Sequence, residues 1–373
     1  MPLLSHNREQ VAAFQAQRRG RPSLHTLRVS DLEVQADDAV VVTFAVPDHL
    51  REAYRFKHGQ HVAIVHDDGG EEIRRSYSIC SPAGSDVLRI AIRRVAGGRF
   101  STYATSQLRV DDELRVMTPT GRFTTALDPL AEKHYLAVAG GSGITPIISM
   151  AATILGEEPR SRFTLLYANR SRRSTMFMGE LDSLCARFGP RLSVIHYWDD
   201  AVATAAGPLQ RLDRGTLEGW LAADPPGGPV DQWIMCGPAG LIDFVTETLV
   251  DCGLAEEKIL REYFIATEAE DSDAAQGRPL VLSNVRVRID GEELNFELSS
   301  HGATILAAAL PLRPDLPYSC SDGVCATCRV KVLEGSVEMD RCSALDRKEL
   351  SSGYVLACQA HPTTDSVVVD FDG

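Results

Sequence analysis

The sequence predicts a multidomain chain: an antiparallel β-barrel, then an α/β domain on a parallel sheet, then a small α+β unit. Three observations carry that prediction. Short runs rich in β-branched residues recur between turn signals across residues 24–128. Apolar strand patterns then alternate with helix patterns across 129–265. Residues 266–279 are small, polar and acidic and read as a linker, and 280–373 hold a hairpin signal and a loop dense in cysteine.

The bulk properties set limits. A length of 373 residues suits two or three domains. With 44% hydrophobic and 24% charged residues the composition is that of a globular protein, and no apolar run could span a bilayer. Residues 1–23 form an N-terminal extension that lacks the apolar core of a secretory signal. That start, with an odd count of 9 cysteines, points to a reducing cytoplasm rather than a disulfide framework. The 38 basic against 51 acidic side chains give a formal charge of −13, which disfavours nucleic acid and anionic membranes as partners. An anionic ligand must therefore be met by locally placed positive groups.

In the barrel region the strand runs are HTLRVSDLEVQ, AVVVTFAVP, QHVAIVHDD, RRSYSIC, VLRIAIRRV and ELRVMTP, with one helix pattern, FSTYATSQL. Next, HYLAVAGGSGITPIISMAATIL reads as strand, glycine-rich turn and helix. RFTLLYANR, MFMGELDSLCARF and LSVIHYW alternate strand, helix and strand, and QWIMCGPAGLIDFVTETLVDCG repeats strand, turn and helix. Such alternation demands a parallel sheet covered on both faces. In the last unit, VLSNVRVRID and EELNFELSS form a hairpin signal across Asp290-Gly291, and TILAAAL is a helix pattern.

The cysteine loop reads SCSDGVCATC, placing Cys320, Cys325 and Cys328 at C-x4-C-x2-C, with Cys358 as a distant fourth. Its small residues and glycine let the backbone wrap a metal cluster closely. The spacing suits a 2Fe–2S cluster. Zinc usually takes two close pairs, and only Cys325 and Cys328 form one; a disulfide staple belongs to another compartment. Cys342 falls off the pattern. The tail as a whole resembles a plant-type ferredoxin, with GYVLACQA in the setting of that family's fourth ligand. The resemblance implies a β-grasp fold.

RSYS (Arg75, Ser76, Tyr77, Ser78) resembles the R-x-Y-S/T motif of the ferredoxin–NADP reductase superfamily. Arginine offers a bidentate fork to a pyrophosphate, tyrosine an aromatic face to an isoalloxazine, and Ser78 a hydroxyl within reach of flavin N5. GGRFS opens the barrel's helix, so Gly98, Arg99, Phe100 and Ser101 place free amides and a hydroxyl at a helix N-terminus, a phosphate site. The resemblance adds Ile92 and Arg93 to the cofactor contacts and favours FAD. One departure is His58 in FKHGQ, where the superfamily commonly has proline; the position shapes a turn.

AGGSGITP brings Gly140, Gly141, Ser142, Gly143 and Thr145 to a strand–helix turn suited to a dinucleotide pyrophosphate. In CGPAG, the resemblance puts Cys236 beside nicotinamide C4, with Gly237 and Pro238 following; a buried free cysteine is otherwise a small hydrophobe. In REYF it sets Glu262 and Phe264 against the flavin. Ser78, Cys236 and Glu262 are thus the candidate catalytic residues, in the loose sense that cofactors carry the chemistry. YANRSRRSTMF follows the second strand of this domain with Arg170, Ser171, Arg172 and Arg173 and no acid, which favours NADPH over NADH.

Residues 24–373 in this order resemble reductase components of bacterial multicomponent oxygenases. Within them, LREAYRFKHGQHV, EEIRRSYSIC, GRFSTYA, LPYSCSDGVCATC and GYVLACQA are most similar to those serving the multisubunit di-iron epoxidases of phenylacetate catabolism. The resemblance implies electron flow from NADPH through FAD and a 2Fe–2S centre to an oxygenase. The other acceptors weighed are a Rieske-type steroid or aromatic-ring hydroxylase and a fatty-acyl desaturase. A non-catalytic redox sensor or a zinc-stabilised interaction module is the alternative of another class, and it predicts no flavin or cluster absorption.

Overall fold

The computed structural model describes residues 22–200, 211–222, 228–264, 278 and 280–373. The N-terminal extension and the linker expected at 266–279 lie almost wholly outside them. The chain divides into two compact units, Leu24–Thr267 and Glu268–Gly373 with Met1–Ser23. No helix among the described residues is long and apolar enough to cross a membrane.

The first unit begins with β1 (Leu24–Gln35), β2 (Ala39–Ala45), β3 (His61–Asp68), β4 (Glu71–Ser78), β5 (Leu88–Arg93), α1 (Arg99–Ser106) and β6 (Glu113–Met117). The six strands pair antiparallel in the order β4-β3-β6-β1-β2-β5. A bridge between Ile79 and Ile90, with Cys80 N–H donating to Arg89 O at 2.9 Å, joins the two edge strands. The sheet therefore closes into a barrel and leaves no free edge. Its interior is filled by Val29, Val42, Ile64, Ile90, Ile92 and Val116, alternate residues of their strands. Each buried aliphatic of this kind contributes about 1.5–3 kcal/mol.

The same unit continues with β7 (His134–Gly140), α2 (Ile144–Glu157), β8 (Arg162–Asn169), α3 (Met178–Phe188), β9 (Leu192–Trp198), α4 (Arg214–Ala222), β10 (Gln232–Gly237), α5 (Ala239–Asp251) and β11 (Ile259–Tyr263). These five strands are parallel in the order β11-β10-β7-β8-β9. Every residue of β7 is buried, because α2 and α3 cover one face and α4 and α5 the other. The chain runs outward from β7 to β8 and β9, then returns to the other side of β7 as β10. The strand order reverses there, and ligands of open α/β sheets bind outside the carboxyl ends of strands at such a switch point. The sequence reading missed α4, whose Gly215 and Gly219 weaken its helix pattern, and β11.

The second unit contains β12 (Leu282–Ile289), β13 (Glu292–Ser299), α6 (Ile305–Ala309), β14 (Arg329–Glu334), β15 (Val337–Met339), α7 (Arg347–Ser351), β16 (Tyr354–Leu356), β17 (Ala360–Pro362) and β18 (Ser366–Asp370). Its main sheet runs β13-β12-β18-β14-β16, with β12 and β18 parallel at the centre, and β15 pairs with β17. The hairpin turn is where the sequence put it: Asp290 and Gly291 have φ of 55° and 72°, as a type I′ turn requires. The α6 residues Ile305, Leu306 and Ala309 share a core with Val285, Val287, Val330 and Val367.

Candidate functional site

The cysteine loop runs from the end of the α6 segment into β14. Ser321, Gly323 and Ala326 adopt φ of 61°, 76° and 53°. These left-handed residues turn successive amides inward, and Asp322 N–H donates to Cys320 Sγ at 3.4 Å. Ala357 N–H donates to Cys328 O at 3.0 Å, which brings the distant Cys358 alongside the loop. Cys320, Cys328 and Cys358 are buried and Cys325 is half-buried, while Cys342 is exposed.

The four thiols interact as two pairs. Cys320 is pushed up first by its hydrogen bond with Cys325 and then by burial. Cys328 is pushed up by its hydrogen bond with Cys358 and by burial, and Cys358 is correspondingly lowered by Cys328. So many buried sulfurs cannot all ionise without a metal's charge. Among the described residues no group of three His, Cys, Asp or Glu converges as a single-ion site. Ligands in two pairs fit a two-iron cluster better than one tetrahedral zinc. Thr327 Oγ1, between two of these cysteines, is buried without a partner and leaves a donor for such a cluster.

The candidate catalytic residues come from three separate strands. Ser78 ends β4, Cys236 lies near the end of β10, and Glu262 is its register partner on β11. Ser78 Oγ donates to Glu262 Oε2 at 3.4 Å, and Cys236 Sγ donates to the same oxygen at 3.9 Å. Burial, and then the Glu262 carboxylate, push the Cys236 thiol well above its usual range. A neutral thiol and hydroxyl thus share one carboxylate where the barrel meets the carboxyl ends of the parallel sheet. Phe264 N–H donates to Gly237 O at 2.8 Å, which fixes the aromatic residue beside this point.

Around the barrel the expected flavin residues divide. Arg75 is exposed and has no acidic partner among the described residues, so its guanidinium is available to a phosphate. The Tyr77 and Phe100 rings lie 5.8 Å apart, and burial pushes the Tyr77 phenol up, keeping it neutral. Arg99 is already engaged, by Asp68 and by Glu71 at 2.7 Å. The Ser101 hydroxyl accepts from Val95 N–H at 3.1 Å and donates to Gly98 O at 3.3 Å, so it braces the loop. The α1 amides, with Gly98 at the cap and no side-chain cap, remain for an anion. Ile92 is fully buried in the barrel core and can offer only backbone, and Ser76 is half-buried on β4. Arg93 bonds Asp38 at 3.1 Å and the carbonyl of Ser174, linking the barrel to the loop after β8.

The two glycine loops meet at the switch point. A Cβ on Gly143 would lie 2.1 Å from Cys236 O, and one on Gly237 would lie 3.0 Å from the Gly140 backbone. Only glycine permits this approach of β7 and β10. Gly141–Gly143 form a 3-10 turn that leads into α2, Pro238 caps α5, and both helix N-termini open on the crevice. Thr145 is buried, its hydroxyl on Ser142 O at 3.0 Å. Beyond β8, Arg170, Arg172 and Arg173 are exposed and form no ion pair among the described residues. The Ser171 hydroxyl is tied to Ser174 Oγ at 3.2 Å, and Arg172 stands 5.8 Å over the Trp198 ring.

Two features escaped the sequence. Asp199 and Asp200, at the end of β9, donate their amides to Asn169 O and Arg170 O at 3.1 Å, so two acids adjoin the arginine loop. A parallel neighbour for β8 would have signalled them. His58 is buried, and its Nε2 accepts from Thr125 N–H at 3.3 Å, so it anchors the connector between barrel and sheet. Burial lowers its pKa and keeps it a neutral acceptor.

Three family models match the chain in order: an oxidoreductase FAD-binding domain over 26–142, an oxidoreductase NAD-binding domain over 137–247 and a 2Fe–2S iron–sulfur cluster binding domain over 287–363. The chain is accordingly an oxidoreductase that takes FAD, a nicotinamide nucleotide and a 2Fe–2S cluster. It is 40% identical over 354 residues, 94% of this chain and 98% of the other, to one of the subunits of 1,2-phenylacetyl-CoA epoxidase from Escherichia coli K12. It is 30% identical to the ferredoxin reductase component of 3-ketosteroid-9-alpha-monooxygenase of Rhodococcus rhodochrous, covering 92% of this chain and 96% of that one. In fold it matches phthalate dioxygenase reductase with a TM-score of 0.59 at 24% identity, over 95% of this chain and 99% of that one.

Proposed function

The chain belongs to the family of FAD- and 2Fe–2S-containing reductase components of multicomponent oxygenases, and from that premise we propose that it carries electrons from NADPH to a di-iron, multisubunit phenylacetyl-CoA epoxidase in the cytoplasm. The observation that carries the reading is the meeting of Ser78, Cys236 and Glu262 beside the glycine crevice. It supplies a dry, uncharged thiol and hydroxyl where a nicotinamide and a flavin ring must approach each other. Bound FAD would supply the hydride acceptor and single-electron release, and a cluster held by the four cysteines would supply one-electron relay.

The chain's own groups position and insulate. Arg75 and the α1 amides would hold the flavin phosphates, and Tyr77 would offer an aromatic face to its ring. Gly140–Gly143 with Gly237 and Pro238 admit the nucleotide diphosphate between two helix N-termini. Arg170, Arg172 and Arg173 meet the 2′-phosphate, opposed in part by Asp199 and Asp200. Cys320, Cys325, Cys328 and Cys358 hold the cluster. No side chain has to donate or accept a proton for hydride transfer itself.

The test is reconstitution. Purified protein with the oxygenase subunits of a phenylacetyl-CoA epoxidase and phenylacetyl-CoA should consume NADPH and form the epoxide in equal amounts. A steroid hydroxylase oxygenase with its substrate serves as the competing acceptor. Coupled turnover with the steroid hydroxylase and none with the epoxidase would overturn the assignment.

A further inference from the structure

Gln359, next to Cys358, has a buried side chain that none of the roles above uses. Its Nε2 donates to Ser321 O at 2.7 Å and to Cys358 O at 3.0 Å, and lies 3.7 Å from Cys358 Sγ. Two amide hydrogens therefore serve three acceptors, one of them a cysteine sulfur. Its stem is confined as well, since a Cβ on Gly323 would lie 3.0 Å from Gln359 Cγ.

The backbone that carries Gln359 is itself held. Its carbonyl accepts from Asp340 N–H at 3.0 Å, just beyond the end of β15. Asp340 bonds Arg278 Nη2 at 2.8 Å through one oxygen and His361 Nε2 at 2.9 Å through the other. The Arg278 side chain is only 2% exposed, and it also donates to Ser300 O at 3.0 Å and Glu338 at 3.3 Å. A guanidinium so deeply buried is tolerated only when its donors are met, as they are here. Arg278 lies far in sequence from the cysteine loop, yet two hydrogen bonds connect it to Gln359.

We propose that Gln359 raises the reduction potential of the 2Fe–2S centre by donating to the Cys358 sulfur, and that the buried Arg278–Asp340 pair is the positioning device that holds it there. The inference rests on the reading of the four cysteines as cluster ligands. An N–H aimed at a ligand sulfur stabilises the extra negative charge of the reduced centre, so its removal makes reduction harder. Gln359 is neutral, so this contribution does not vary with pH.

The experiment is a potentiometric titration of the full-length holoprotein followed by the electron paramagnetic resonance of the reduced cluster. Gln359→Leu removes the donor, and Gln359→Glu keeps the shape while removing it; both shift the midpoint to more negative potential, the Glu variant further. Arg278→Met shifts it in the same direction by less, and Arg278→Lys recovers part of the loss. Flavin reduction by the nicotinamide nucleotide stays at the wild-type rate in all four. Unchanged midpoints in both Gln359 variants overturn the tuning, and an unchanged midpoint in Arg278→Met alone overturns the positioning. Where Gln359→Leu loses its cluster, the midpoint of Gln359→Glu decides: a more negative value supports the proposal and an unchanged value overturns it. Loss of the cluster in every Gln359 variant makes the residue structural and overturns it. A wild-type protein without any cluster signal would refute the ligand reading, a result distinct from these.

Discussion

Cysteine serves opposite ends in the two units. In the first, Cys236 is a single thiol buried against one carboxylate, and both burial and Glu262 hold its proton in place. In the second, Cys320, Cys325, Cys328 and Cys358 crowd together and share protons in pairs, an arrangement that a metal's charge resolves. The difference lies in how each site is assembled. Three of the four sulfurs come from one short stretch wrapped by left-handed residues, and Cys358 is brought to them by the hydrogen bond from Ala357 to Cys328. The cluster of Ser78, Cys236 and Glu262 is made by residues from three strands, with Ser78 and Glu262 184 positions apart. One chemistry thus needs a metal and local turns, and the other needs a closed barrel set against a parallel sheet.

The largest effect that could break this comparison is loss of the cluster. Replacing Cys320, Cys325, Cys328 or Cys358 by Ala should abolish the visible and paramagnetic cluster signals, and Cys342→Ala should leave them intact. Flavin reduction should survive in the ligand variants, while cytochrome c reduction collapses. A ligand variant with a full cluster spectrum would remove that cysteine from the set.

Nucleotide choice comes next. Losing the charged partner of a phosphate costs about 1.5–3 kcal/mol, so Arg170→Ala should raise KM for NADPH about 10- to 150-fold relative to NADH. Steady-state rates with both nucleotides measure this. Equal wild-type efficiencies would mean that Asp199 and Asp200 cancel the arginines.

A several-fold effect is expected at the partner. Residues 279–373 carry 14 Asp and Glu against 8 Lys and Arg, a balance of −6. Steering of an oxygenase with a basic face acts on the on-rate and is screened over about 8 Å at physiological salt. Raising salt from about 0.05 to 0.5 M should slow oxygenase turnover several-fold at limiting protein and leave flavin reduction unchanged. Turnover that stays flat would make the docking apolar.

The smallest effect is alkaline. The Cys236 pKa is raised in the folded state, so its contribution is full below the unfolded thiol pKa of about 8.5 and is lost as pH rises above it. The slope is about 1.4 kcal/mol per pH unit while the folded thiol stays protonated. All 3 tryptophans, Trp198, Trp220 and Trp233, lie in the first unit, so their fluorescence during urea unfolding reports on it alone. Cys236→Ala should flatten the decline between pH 8.5 and 10 by roughly that slope. An unchanged slope would place the proton elsewhere.

Much of this was legible in the chain itself. The six barrel strands, the Asp290-Gly291 turn and the cysteine loop are local features, written by period-two patterning, by residues that accept positive φ and by ligand spacing. The helix α4 was not, because its glycines weaken the pattern and its stability comes from packing Leu217 into the core beneath α5. Ser101 and Arg99 were read correctly as helix-opening residues, yet their side chains are taken by Val95, Asp68 and Glu71, partners that no spacing announces.

The sequence by itself determined the order of the domains, the cofactor classes and the clustering of Cys320, Cys325 and Cys328, since each depends on residues close together along the chain. Only the tertiary structure decided which carboxylate faces Cys236, which acids adjoin Arg170, and that a buried arginine supports the backbone behind Cys358. Those outcomes follow from sheet order and register, which bring distant strand ends within hydrogen-bond reach. Such pairings are set by how whole layers pack, and a linear pattern does not encode them.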